Sequence, residues 1–109
     1  MRPKSELYQK EQEEIIQKII DILELDDQNS VTLHELDNNH EKQQKILDLL
    51  PDIRKYFSYS YIGPLMYPDK SKRVYLSIVK QLTKQKYNII NREVTINKIR
   101  TRRYTFELK

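Results

Sequence analysis

Hydrophobic positions along the chain repeat with two different periods, and the change of period marks the elements. Over residues 5–25 the apolar residues Leu7, Ile15, Ile16, Ile19, Ile20 and Leu23 recur mostly at three- and four-residue spacing, which predicts a helix. Ser5 is placed to cap it, and the acidic run "EQEE" lies near its positive end. The stripe thickens toward the C-terminal end, so the first two turns are expected to project from the core. The polar break "DDQNS" follows, and then Val31, Leu33 and Leu36 alternate imperfectly with polar residues. A short strand over residues 31–35 is the expectation there.

Cap-type residues at 37–39 open the next helical pattern, with Ile46, Leu47, Leu49 and Leu50 as its apolar face. Pro51 cannot continue the ladder before it but suits the first turn of a new helix, so residues 41–50 and 52–57 read as two helices meeting at a kink. The irregular stretch at 58–70 carries the single glycine, Gly63, two prolines and several tyrosines. It is expected to fold back over the core. Residues 71–87, "SKRVYLSIVKQLTKQKY", give the clearest helix. On a wheel Val74, Tyr75, Ile78, Val79 and Leu82 gather on one side. Arg73, Ser77, Lys80 and Lys84 gather on the other, flanked by Leu76 and Thr83.

From residue 87 the period becomes two. Two segments rich in β-branched and aromatic residues suggest a hairpin turning at Asn97-Lys98. That turn sets Ile96 opposite Ile99, Glu93 opposite Arg102 and Ile89 opposite Phe106. The last two pairs then share a face with Tyr87, Tyr104 and Leu108, which would anchor the second strand to the core. The turn type stays open, because Asn accepts positive φ readily and Lys less so than Gly. The expected class is α+β: three to four helices, a short strand and a C-terminal hairpin, in one domain over residues 1–109.

Composition changes this picture only at one point. The chain holds 38% hydrophobic and 33% charged residues, enough for one core. Cysteine is absent, which removes disulfides, thiolate metal sites and a cysteine nucleophile. The first residues lack an apolar signal core, and no apolar run reaches the roughly 18 residues of a membrane span. An intracellular, non-secreted protein of cytoplasm or nucleus is therefore expected. Charge is the exception. Residues 1–60 carry 8 Lys/Arg and 13 Asp/Glu, a net of −5, and residues 61–109 carry 12 and 3, a net of +9. Such a split favours a polyanionic partner for the second half, nucleic acid first among them. The alternative is that the acidic half neutralises the basic half within the fold.

The element order of helix, short strand, helix, basic helix and two strands resembles the winged-helix form of the helix-turn-helix family. The resemblance covers nearly the whole chain and rests on element order and charge placement. It implies that residues 71–87 are a recognition helix for the DNA major groove and residues 91–103 a wing. It also implies a role in transcription regulation. One departure is the dozen residues, 58–70, between the two helices, where a compact motif has about 3–4. The bias toward Ile, Asn, Lys and Tyr resembles that of small DNA-binding modules of large DNA viruses.

Independently of the family, a helix fits the major groove and its outer Lys and Arg reach phosphates and guanine edges. The candidate nucleic-acid-binding residues are Lys72, Arg73, Ser77, Lys80, Gln81 and Lys84 on the helix, with Thr83 as a further hydrogen-bonding group. Arg92, Lys98, Arg100, Arg102 and Arg103 are the candidates on the hairpin, with Glu93 expected to neutralise Arg102. The bland explanation is a solvated polar face, which every amphipathic helix needs. Against it, residues 71–87 contain no Asp or Glu, whereas solubility alone is better served by mixed charge.

Other constellations carry less. His34 and His40, six apart beside acidic residues, match no zinc spacing, and Asp48, Asp52 and Asp69 are not brought together by any pattern. No phosphate loop and no nucleophile beside a base is present, so neither an enzyme nor a cofactor is expected. Residues 5–25 offer apolar surface to a partner helix or a second copy. Two other functions compete with duplex DNA binding. One is a winged-helix module for protein interaction or assembly. The other is a single-strand or RNA binder that stacks bases on Tyr59, Tyr61 and Tyr67.

Overall fold

A computed structural model describes residues 8–58, 61 and 73–109. The described chain is α+β, with helices packed on one face of a three-stranded antiparallel sheet. In chain order the elements are α1 (Gln9–Leu23), β1 (Ser30–Thr32), α2 (Leu33–Asp37), α3 (His40–Leu47), α4 (Leu50–Tyr56), α5 (Val74–Thr83), β2 (Tyr87–Ile96) and β3 (Ile99–Leu108). The sheet order is β1-β3-β2, so the last strand is central.

α1 buries Ile15, Ile16, Ile19 and Leu23, the stripe expected of it. Its predicted cap Ser5 and Leu7 lie outside the described residues. From Tyr8 onward the start does not project. The Tyr8 ring meets Tyr56 edge-on at 5.2 Å, and the buried Gln12 amide donates to the Tyr56 carbonyl at 2.7 Å. At the other end Lys42 reaches in from α3, and its Nζ donates to the Leu23 carbonyl at 3.2 Å. A cation there satisfies an end carbonyl and suits the negative pole of the helix.

The strand expected over residues 31–35 is shorter. β1 stops at Thr32, whose side-chain oxygen accepts the Glu35 N–H at 3.2 Å, and α2 starts at once. Thr32 with Glu35 three residues on is a helix-start signature that outcompetes the weak alternation of Val31 and Leu33. Asn39 caps α3 by accepting the Lys42 N–H at 3.0 Å. The break before α4 falls at residues 48–49, earlier than the expected meeting at Pro51, so that Leu50 opens α4; Pro51 lies in its first turn, as expected.

α5 is shorter than the predicted 71–87. Residues 71–72 are outside the described set, and the helix ends at Thr83. The N–H of Lys86 closes a tight turn on the Thr83 carbonyl at 3.0 Å, and Tyr87 is drawn into the sheet opposite Leu108. The hairpin register is the expected one: Ile96 faces Ile99, Glu93 faces Arg102 and Ile89 faces Phe106. Both turn residues have positive φ, 51° at Asn97 and 67° at Lys98, which is the type I′ pattern whose twist suits a two-residue hairpin. Leu108 departs from expectation: it is 66% exposed, while Tyr104 and Phe106 are buried.

The core joins Ile19 and Leu23 of α1, Leu36, Ile46, Ile53 and Phe57, the inner face of α5 (Tyr75, Ile78, Val79, Leu82) and Tyr104 and Phe106 of β3. Fully burying each such side chain is worth about 1.5–3 kcal/mol. α5 is therefore fixed in orientation by its apolar face, and that leaves its cations outward. No described helix is long and apolar enough to cross a membrane.

Candidate nucleic-acid interface

α5 presents Arg73, Ser77, Lys80 and Lys84 as exposed positions, and its ten residues include no acid. Arg73 stands at the N-cap, where a cation is disfavoured by the positive pole of the helix. Asp37, at the end of α2, compensates. Arg73 Nε lies 3.0 and 3.1 Å from its two carboxylate oxygens. The buried Tyr75 hydroxyl donates to the same carboxylate. Burial, and then the neighbouring carboxylate that accepts its proton, push the Tyr75 phenol well above its ordinary range.

Two of the predicted polar contacts face inward. Thr83 is fully buried and donates its hydroxyl to the Val79 carbonyl at 2.6 Å. It is withdrawn as a ligand contact, because one residue past Leu82 it falls on the buried side of the last turn. Gln81 is half-buried, its amide donated to the Tyr61 carbonyl at 3.1 Å, while the Tyr61 hydroxyl donates to the Gln81 carbonyl. Tyr61 also stacks on Phe57 at 5.9 Å, and its burial raises its phenol pKa. Lys72 lies outside the described residues, as do Tyr59 and Tyr67.

Strand alternation divides the hairpin cations. Arg100 and Arg102 share the face of Tyr104 and Phe106, the face α5 covers, and Lys80 Nζ sits 4.9 Å from the Tyr104 ring centroid. Arg92 and Arg103, opposite each other in register, share the other face. Arg103 is tied to Asp26 at 3.2 Å beside β1. Lys98 occupies the turn. The register places Glu93 opposite Arg102, yet its carboxylate pairs with Arg100 on the diagonal at 3.0 Å, and Arg102 donates to the Asn91 side-chain oxygen at 3.3 Å. Glu93 thus neutralises a different arginine from the one expected.

α5 is flanked by two grooves. One of about 410 Å³ runs from Lys80 and Lys84 to Asn91 and Tyr104. Another of about 390 Å³ gathers Asp37 and Arg73 with Glu93, Arg100 and Arg102. The structure therefore brings together Arg73, Lys80, Lys84, Arg100 and Arg102, and sends Arg92 and Arg103 to the other sheet face. The residues that sequence reasoning missed are Asp37 and Asp26. They stand 36 and 77 positions from their arginines, and no local pattern signals such pairs. Among the described residues no group of three His, Cys, Asp or Glu side chains gathers to hold a metal. Comparison with family models, curated proteins and solved structures gave no match.

Proposed function

We propose that the chain is a winged-helix module that binds nucleic acid, duplex DNA before single strands, with α5 in the major groove and the β2–β3 hairpin as wing. The observation that carries this reading is the convergence of two cationic surfaces: Arg73, Lys80 and Lys84 along α5, and Arg100 and Arg102 on the hairpin face that continues beneath it. The element order and the β1-β3-β2 sheet support the winged-helix assignment. Helix cations reach phosphates and base edges, and hairpin cations reach the flanking backbone. Five such contacts give a log–log salt slope of about −4 to −5.

A module for protein assembly is the second reading, favoured by the exposed pair Ile96 and Ile99 at the hairpin end. Base stacking on tyrosines has less support, since the Tyr61 ring is engaged by Phe57. The apolar stripe of α1 is largely spent on the core, so association through residues 5–25 finds little free surface among the described residues. A salt titration of binding to duplex and single-stranded DNA tests the proposal. The protein binds duplex more tightly, and Arg73→Glu/Lys80→Glu/Lys84→Glu abolishes it. Absence of binding at low salt refutes the reading, and equal binding by the triple variant removes α5 from the contact.

A further inference from the structure

The groove between the start of α5 and the hairpin holds three guanidinium groups and two carboxylates. Arg73 is paired with Asp37 and Arg100 with Glu93, each at 3.0 Å, while Arg102 bonds only the neutral Asn91 amide oxygen among the described residues. Both acids are in positions that a phosphodiester oxygen would take against the same arginines, since guanidinium binds carboxylate and phosphate with the same donor geometry. Asp37 is a built feature. The buried Tyr75 of α5 donates its hydroxyl to that carboxylate and so holds it across the helix start. Both pairs are nevertheless solvent-accessible: the arginine side chains are 58% and 81% exposed, so exchange of partner costs little.

We infer that Asp37 and Glu93 are intramolecular stand-ins for two backbone phosphates, and that nucleic acid binds this groove by taking Arg73 and Arg100 from them. The inference rests on the nucleic-acid reading and adds to it. The acids keep the groove ordered and partly neutral in the free protein, and they lower affinity for any weak polyanion. A duplex that places phosphates at both arginines displaces them.

A double-mutant cycle on a short duplex tests this. Asp37→Asn keeps an oxygen for the Tyr75 hydroxyl and removes the competing charge. Its affinity rises about two- to fivefold, the range that loss of an exposed ion pair allows. The gain disappears in an Arg73→Gln background. Glu93→Gln behaves the same way and loses its gain in Arg100→Gln. Glu14→Gln, on the exposed face of α1, leaves affinity unchanged and controls for net charge. Weaker binding by Asp37→Asn and Glu93→Gln overturns the inference, as does a gain that persists without the partner arginine. If Asp37→Asn does not fold, the Glu93 pair, on the exposed hairpin, decides alone. Failure of the unsubstituted protein to bind duplex refutes the nucleic-acid reading and this inference together; failure of the cycle alone refutes only the inference.

Discussion

The two halves of the β2–β3 hairpin are continuous in backbone and opposite in environment. In the near half, Tyr104 and Phe106 are buried in the core, and Val31 of β1 pairs with Tyr104. In the far half β1 has ended at Thr32 opposite Arg103, and β2 and β3 are held by each other, by the turn and by α2, whose His34 N–H donates to the Thr101 hydroxyl at 2.9 Å. The near half is ordered by burial, the far half by register, turn geometry and a polar contact from α2. A ladder with few buried side chains contributes little to global stability. It can therefore carry Arg100, Arg102 and Lys98 for a ligand at small cost to the fold. The helical body shows the converse division within one element, since α5 has a core face and a cationic face.

Predictions that sharpen this contrast run from large to small. Ile78→Ala, at a fully buried position of α5, lowers unfolding free energy by about 2–5 kcal/mol in denaturant titration. A far smaller loss would show that α5 is not central to the core. Arg100→Ala/Arg102→Ala leaves stability within about 0.5 kcal/mol, as expected of exposed sites. It weakens duplex binding about tenfold and flattens the salt slope by roughly two. If melting drops with affinity, the far half is not independent of the body. Lys98→Gly relieves a left-handed backbone position that costs a non-glycine residue about 1 kcal/mol, so the melting temperature rises slightly. An unchanged or lower value argues against the type I′ turn.

The last effect is confined to alkaline pH. Tyr75 has its folded-state pKa raised above the ordinary 10.0, so its protonated form is favoured by folding. The stabilisation is complete below pH 10 and is lost as pH rises toward the raised folded value. Stability of Tyr75→Phe therefore declines less steeply above pH 10 than that of the unsubstituted protein, measured by denaturant midpoint. Parallel decline would remove Tyr75 from the linkage.

Much of the fold was legible because local rules and tertiary packing agree. Period-two alternation through residues 87–108 sets the register, since a slip of one residue would turn Tyr104 and Phe106 outward. The wheel over residues 71–87 separates Ile78 and Leu82 from Lys80 and Lys84 for the same reason. The early start of α2 was also written locally, in Thr32 and Glu35, but alternation masked it. Thr83 was misjudged because at the flank of a stripe a rotation of one residue decides burial, and only the neighbouring elements fix that rotation. Leu108 read as core from its face alone, yet at the end of β3 it is exposed.

By itself, then, the sequence determined the periods, the helix and strand faces, the turn position and the concentration of cations after residue 61, because these follow from side-chain spacing and backbone preference. The tertiary structure decided which cations share a surface and which are answered by acids. Arg73 with Asp37 and Arg103 with Asp26 depend on the docking of α2, β1 and α5 around the sheet. Charge acts through space over a few ångströms, whereas sequence records only neighbours along the chain.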